Sequence, residues 1–397
     1  MKVDRQQLFD DGYIILREVI PPDQLDHLRT SFEHLVERQK ALWASENNPA
    51  WQTGAQPRLS RYETIIDEET AAAVEIWLHE NTLGVSRQLL SVEGQAAIAG
   101  MMMMCSPQQD HGPAHWHRDV HPIDMAPMAS LQADFLENGP KYLQWNIPLY
   151  DDDVLWVVPG SHRRINTEEE NRHLLENARA PLPGGIPVEL NAGDGVVYVN
   201  YIIHWGSNYS TKLRRTIHGG HTIFPYYPDM DFVEHLSPGA RETFEKWDRM
   251  NANMQDQTES ALRAVLNRDA DAYHNAIEAL QPGAGEAGKM VLAIYLSKAA
   301  YHIQILKNPD SDNYPEDSRR RATTSHSISL NWGPQFADRF SATEADILWQ
   351  RFATLDAQLQ ADEEHFVPGF QSGPMRYYFE EMPSAFGAED FVASWTA

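Results

Sequence analysis

The chain is short of three things, and each shortage excludes something. Cysteine occurs once in 397 residues, at Cys105, so no internal disulfide can form and the protein fits a reducing compartment. Cys105 closes an apolar run and reads as a core residue instead of a catalytic thiol. Positive charge is scarce as well. Against 57 Asp and Glu stand 32 Lys and Arg, and the net charge of −25 repels nucleic-acid phosphates and anionic lipid surfaces, so neither is expected as a partner. Long hydrophobic runs are missing too. The most apolar later stretch, Met290 to Leu306, is interrupted by Lys298 and reads as a buried helix, not a membrane span. Met1 to Gln7 lack the apolar segment of a signal peptide, so a cytoplasmic location is expected. There is no internal repeat, and no Gly/Ser-rich linker sets off the region after residue 226.

What is present points to a globular enzyme, since 42% hydrophobic residues over this length can fill one large core or two ordinary ones. The stretch Ala114 to His121 contains the only His-x-Asp or His-x-Glu tripeptide of the chain, His117-Arg118-Asp119. On an extended strand, residues i and i+2 face the same side, so the His117 imidazole and the Asp119 carboxylate can converge. A third ligand must come from elsewhere, and His204, within Val199 to Asn208, is the candidate. Two histidines and one carboxylate on one side, with the other side open, suit non-haem Fe(II).

Chain order supports a β-rich core. Gly12 to Arg17 reads as a strand, and Pro21-Pro22-Asp23 opens a helix carrying Leu25, Leu28, Phe32, Leu35 and Val36 at helical spacing. Residues 44 to 60 read as a loop, 71 to 90 as a helical region, and Ala96 to Cys105, with Met101 to Met104, as a core strand. Short strands are expected at Tyr142 to Leu149, Val154 to Val158, Val188 to Leu190, Gly195 to Asn200 and Arg215 to Phe224, the pattern of a double-sheet jelly roll. Turns are expected at Pro159 to His162 and Asn191 to Asp194. From residue 226 the patterns become helical: Ser237-Pro238 onward, Thr258 to Leu280, Gly288 to Leu306, and a helix opened by the capping box Ser341 to Glu344. Residues 308 to 323, with Arg319 to Arg321, read as a solvated loop. Of the remaining histidines, His111, His115 and His121 flank the tripeptide and read as satisfied imidazoles. His162 belongs to its turn, and strand alternation lets at most one of His218 and His221 share a face with Arg214. Gly219 and Gly220 fit a bulge or room for a ligand.

The joint order of several motifs resembles the phytanoyl-CoA dioxygenase family of Fe(II)/2-oxoglutarate oxygenases over about residues 8 to 225. The motifs are Asp11-Gly12-Tyr13, the Pro-Pro-Asp helix, His117-x-Asp119, Val158 to His162, Gly193-Asp194, and His204 followed by Gly206-Ser207-Asn208 and Arg214-Arg215. The resemblance implies a mainly β fold with α: a double-stranded β-helix (jelly roll, cupin-like) core with N-terminal helices. It implies Fe(II) held by His117, Asp119 and His204, with 2-oxoglutarate and O2 as co-substrates. The distal carboxylate of 2-oxoglutarate is expected on an arginine ten or eleven residues past His204. Counting selects Arg215, and matching Arg-Arg-Thr-Ile-His to the family pattern selects Arg214, which is preferred. Trp145 resembles a tryptophan that some members place beside the cosubstrate.

The expected reaction is hydroxylation of a small organic substrate with release of succinate and CO2; desaturation or ring closure stays open. Related halogenases lack the carboxylate that Asp119 supplies. The alternative is a non-catalytic metal-binding jelly roll with a helical interaction module. Residues 1–235 are expected to form the oxygenase domain and 236–397 a helical region packed on it, covering its mouth. The competing use of the same apolar residues is a homodimer interface.

Overall fold

The computed structural model describes residues 1–92, 95–122, 125–223, 231–310, 336–382 and 385–396. The loop expected at 308–323, including Arg319 to Arg321, lies outside them from residue 311 on. By its internal contacts the chain separates into two compact units. The first comprises Met1–Arg118, Lys141–Ile223 and Pro228–Arg249; the second comprises Asp119–Pro140, Phe224–Tyr227 and Met250–Ala397.

The first unit begins with helix α1 (Arg5–Asp11), whose leading N–H groups are capped by the Asp4 side chain and whose end turns at Gly12, φ +83°. A side chain at Gly12 would collide with the His162 ring, and the N–H of Gly160 donates to the Asp11 carbonyl. The Asp11-Gly12-Tyr13 motif and the Pro159 to His162 turn are therefore one packed feature. Strand β1 (Tyr13–Leu16) leads to helix α2 (Leu25–Ser45), which buries Leu28, Phe32, Leu35 and Val36 as their spacing predicts. The segment read as a loop, 44 to 60, instead holds a single helical turn, α3 (Ala50–Thr53), and an edge strand, β2 (Arg58–Ser60). Pairing of Arg58–Ser60 with Met102–Met104 overrides its polar composition. The helical region 71 to 90 is two helices, α4 (Ala72–Leu78) and α5 (Leu83–Leu89), because the backbone at His79 is extended.

Strand β3 (Ala97–Cys105) follows, then α6 (Met128–Asn138) of the second unit, β4 (Tyr142–Pro148), β5 (Leu155–Val157), α7 (Glu168–Asn177), β6 (Ile186–Pro187), β7 (Gly195–Tyr198), β8 (His204–Gly206) and β9 (Arg215–Thr222). Val188 to Leu190 is not a strand; Leu190 forms only a single bridge to Asp152. One antiparallel sheet has the order β1-β7-β4-β9-β3-β2 and a smaller one β6-β5-β8. Val196 and Tyr198 of the large sheet share a buried cluster with Leu155 and Val157 of the small one and with Val188, Leu190 and Ile202, so the two sheets face each other. Gly219 and Gly220 permit a close backbone approach, since a Cβ on either would strike the carbonyl of Gly100 or Leu143. The β3–β9 register shifts between Ile98 and Gly100, opposite this pair.

Helix α8 (Pro238–Asn267) starts where Ser237-Pro238 predicts and ends before Arg268, whose φ is +57°. Three further helices, α9 (Ala270–Leu280), α10 (Glu286–Lys307) and α11 (Ala342–Leu359), belong to the second unit, and Ser341 and Glu344 form the expected capping box on α11. Buried among them, the Lys298 ammonium lies 2.9 Å from an oxygen of Asp356. A two-stranded sheet of β10 (Gln360–His365) and β11 (Met375–Tyr377), then α12 (Ala388–Thr396), complete the described chain. Among the described residues no helix is long and apolar enough to cross a membrane.

Candidate metal centre

His117 and His204 meet directly. The His117 N–H donates to the His204 carbonyl at 3.0 Å and the His204 N–H donates back at 2.9 Å, an isolated antiparallel bridge instead of the longer strand expected around residue 117. Each imidazole is oriented alike: Nδ1 of His117 lies 2.8 Å from the His115 carbonyl, and Nδ1 of His204 lies 3.0 Å from the Ile202 carbonyl. A carbonyl can only accept, so both Nδ1 atoms carry the proton and both lone pairs sit on Nε2. This tautomer is the one that binds a metal through Nε2 with its other nitrogen braced. The ring centroids are 4.3 Å apart. One ligand atom from each of His117, Asp119 and His204 fits within a mutual distance of 4.8 Å, and no other such trio of potential ligands occurs among the described residues.

The residues between and beside the ligands hold this geometry. Arg118 is completely buried; its guanidinium donates to the Asn166 side-chain oxygen and to the carbonyls of Ser161, Tyr201 and Arg164 at 2.6 to 3.2 Å. It thus ties the His-x-Asp segment to the chain three residues before His204. Trp116 and Trp205, each adjacent to a ligand histidine, stack at 4.9 Å and 15°. Their indole N–H groups donate to the carbonyls of Ala180 and Ala114, both at 2.9 Å.

Strand alternation then sorts the other candidates. Tyr198 sets its ring 5.5 Å from that of His204 and accepts a hydrogen bond from Gln144 at 2.9 Å. Asn146, two residues on from Gln144, pairs with His218 at 2.6 Å. On the same face of β9 and the residue before it, Arg214 and Thr216 both donate to one carboxylate oxygen of Asp152, at 2.7 and 2.5 Å. Burial pushes the Asp152 carboxyl up, but the Arg214 charge and the bonds from Thr216 and Val154 outweigh it and leave it below its ordinary range. Nη1 of Arg214 is buried and has no hydrogen-bond partner. Arg215 points to the other side, where it pairs with Glu33 at 2.7 Å and lies 5.9 Å over Trp51.

Trp145 also occupies the opposite face from Tyr198: its indole donates to Ser86, which bonds the fully buried His221. His162 is likewise absorbed by packing, its Nε2 bonded to the Phe9 carbonyl at 3.0 Å. His121 contacts Ser372, and His115 is exposed. Burial pushes the Cys105 thiol up to about 11, in keeping with its core reading. Arg118, Gln144, Asn146 and Tyr198 were not singled out from sequence. Parity along β4 and β9 carries the signal for Gln144 and Asn146; a charged residue between two ligands carries none for burial.

Facing antiparallel sheets that bring a His-x-Asp pair to a distant histidine define a class, the mononuclear non-haem iron proteins. The chain belongs to the phytanoyl-CoA dioxygenase (PhyH) family, whose family model matches residues 9–217. Membership and the three-ligand cluster together make it an iron- and 2-oxoglutarate-dependent dioxygenase. No curated protein sequence matches the chain. Among solved structures it is loosely similar to EctD from S. alaskensis with 2-oxoglutarate and 5-hydroxyectoine, at 17% identity and TM-score 0.39 over 55% of this chain and 74% of that one. It is similar also to HygX from Streptomyces hygroscopicus with nickel and 2-oxoglutarate bound, at 14% identity and TM-score 0.41 over 56% and 87%. A third is the epimerase SnoN from nogalamycin biosynthesis, at 16% identity and TM-score 0.37 over 55% and 81%.

Proposed function

We propose that the protein hydroxylates an unactivated C–H bond of a small organic substrate. In the balanced reaction, 2-oxoglutarate loses CO2 and becomes succinate, one atom of O2 entering the succinate and the other the product hydroxyl. The observation that carries the reading is the pair of identically braced histidines with Asp119 beside them, a three-cornered ligand set that leaves coordination positions for a chelating 2-oxo acid and O2. The facing sheets support a jelly-roll core for this site. His117, Asp119 and His204 would hold iron, and the iron would supply the oxidising chemistry.

Arg214 is our choice for the distal carboxylate of 2-oxoglutarate. Asp152 occupies its Nε, while buried Nη1 offers a charge-assisted donor that needs an acceptor. A purely structural metal site has no use for such a donor. Tyr198, Gln144, Asn146 and His218 supply polar groups on the same face for orienting ligands. We read residues 1–235 as the catalytic domain and 236–397 as a helical region that helps exclude water, on the strength of apolar residues such as Leu348, Phe352 and Leu355. Expressing 1–235 alone tests the water-excluding role, since full substrate turnover by the fragment would overturn it. The reaction itself is tested by mixing protein, Fe(II) and 2-oxoglutarate without oxygen and looking for the visible charge-transfer band. Admitting oxygen and screening metabolites for succinate release then finds the substrate; absence of the band would overturn the proposal.

A further inference from the structure

The Asp119 carboxylate has a partner outside the family match. Its oxygen Oδ1 accepts a hydrogen bond, 2.5 Å long, from the side-chain amide of Gln371, a residue 252 positions further along and well past the family match. This contact begins a strap. Ser372 Oγ lies 3.3 Å from Nδ1 of His121, and the carbonyls of Phe379 and Glu380 accept the backbone N–H groups of Met128 and Ala129 at 2.9 and 2.7 Å. Helix α6 has no side-chain cap of its own, so the strap satisfies its leading donors. Residues 371–372 thus grip Asp119 and His121, and residues 379–380 grip the start of α6.

The strap is itself anchored. Tyr377, in β11, donates its hydroxyl hydrogen to Asp356 at 3.2 Å; the same carboxylate is bonded by Gln360 at 2.6 Å and paired with buried Lys298. The Lys298 ammonium also lies 5.0 Å over the Tyr377 ring. A buried ion pair is costly to break, because either partner left alone is a buried charge without compensation. The strap is therefore fixed where it leaves the helices, and Gln371 is held close to a rigid support.

We propose that Gln371 is a positioning residue for the metal centre: by hydrogen-bonding Oδ1 of Asp119 it fixes the orientation of that carboxylate beside His117 and His204. The inference rests on the Fe(II) reading of the triad. Hydrogen bonds to ligating carboxylates orient the ligand, and losing one typically weakens metal affinity by about 10- to 100-fold. Gln371 is exposed, so replacing it disturbs no core.

The test uses the full chain freed of metal and titrated with Co(II), whose visible ligand-field spectrum reports the geometry of its ligands. Gln371→Met keeps the side-chain length and removes the donor. We expect Gln371→Met to melt within about 2 °C of the parent. It should bind Co(II) about tenfold or more weakly and give an altered Co(II) spectrum. A Met variant with the parent's affinity and spectrum overturns the inference while leaving the Fe(II) reading intact. A parent that takes up no Co(II) overturns both.

Discussion

Arg214 and Arg215 are chain neighbours committed to opposite sides of the large sheet, Arg214 to Asp152 and Arg215 to Glu33. A strand cannot turn both inward, and the carboxylate that Arg214 shares with Thr216 places it on the face that also presents His218, Asn146 and Tyr198. The two counts of spacing from His204 lead to different residues, and these lie on different faces of the sheet.

Arg214→Lys should weaken 2-oxoglutarate by about 30-fold, on the order of 2 kcal/mol for a buried charge-assisted contact, while Fe(II) affinity changes little. Lysine keeps a cation beside Asp152, so loss of fold does not obscure the result. Arg215→Lys should have less effect. Titrating 2-oxoglutarate into the anaerobic Fe(II) protein measures both; the reverse order would transfer the role to Arg215.

Replacing His117, Asp119 or His204 by Ala should abolish stoichiometric Fe(II) binding with the circular dichroism spectrum intact. Each removes one of three convergent ligand atoms, and the remaining two do not make a closed site. Iron uptake unchanged from the parent's in all three variants would refute the centre.

Arg118→Met should cost at least about 3 kcal/mol of stability, because the carbonyls of Ser161, Tyr201 and Arg164 and the Asn166 oxygen lose their buried donor together. Urea unfolding reads the loss. A midpoint equal to the parent's would show that the tether does not bear on the fold.

Acid should weaken the fold in a definite window. Burial lowers His221 and His162 from 6.5 to about 4 each. Between those values the unfolded chain binds protons that the folded protein refuses, so stability falls as pH drops from about 6.5 to about 4, by about 3 kcal/mol for fully buried His221. Asp152 and Glu170, both held below their ordinary range, add losses at still lower pH as they protonate. Urea midpoints from pH 7.5 to 4 test this; His221→Asn should be less stable at pH 7.5 but show a shallower decline.

The sequence carried the convergence of His117, Asp119 and His204 because a His-x-Asp tripeptide is rare and extended backbone aims both side chains one way. It carried most strands of the core as well: β1, β3 and β7 are apolar runs, and β4 and β9 are short stretches set off by turn residues. What stayed hidden depends on partners distant in sequence. Arg58–Ser60 is polar and becomes a strand only because Met102–Met104 offers an edge. Helix α6 had periodic Met128, Leu131 and Phe135 behind Pro127, but its short span lay among expected strands. Trp145 was singled out from its neighbours in sequence, yet alternation along β4 turns Gln144 and Asn146, not Trp145, toward the Tyr198 side. Gln371 sits in a stretch without pattern, and nothing local marks it as the neighbour of Asp119.

The stacked indoles of Trp116 and Trp205 give the protein an optical gauge. Two parallel chromophores 4.9 Å apart couple their excited states, and this pair exists only while the segments carrying His117 and His204 stay zipped together. Near-ultraviolet circular dichroism should therefore carry an exciton signature that vanishes when those two segments part. Metal entering between the histidines would perturb it before any change in the far-ultraviolet spectrum of the sheets.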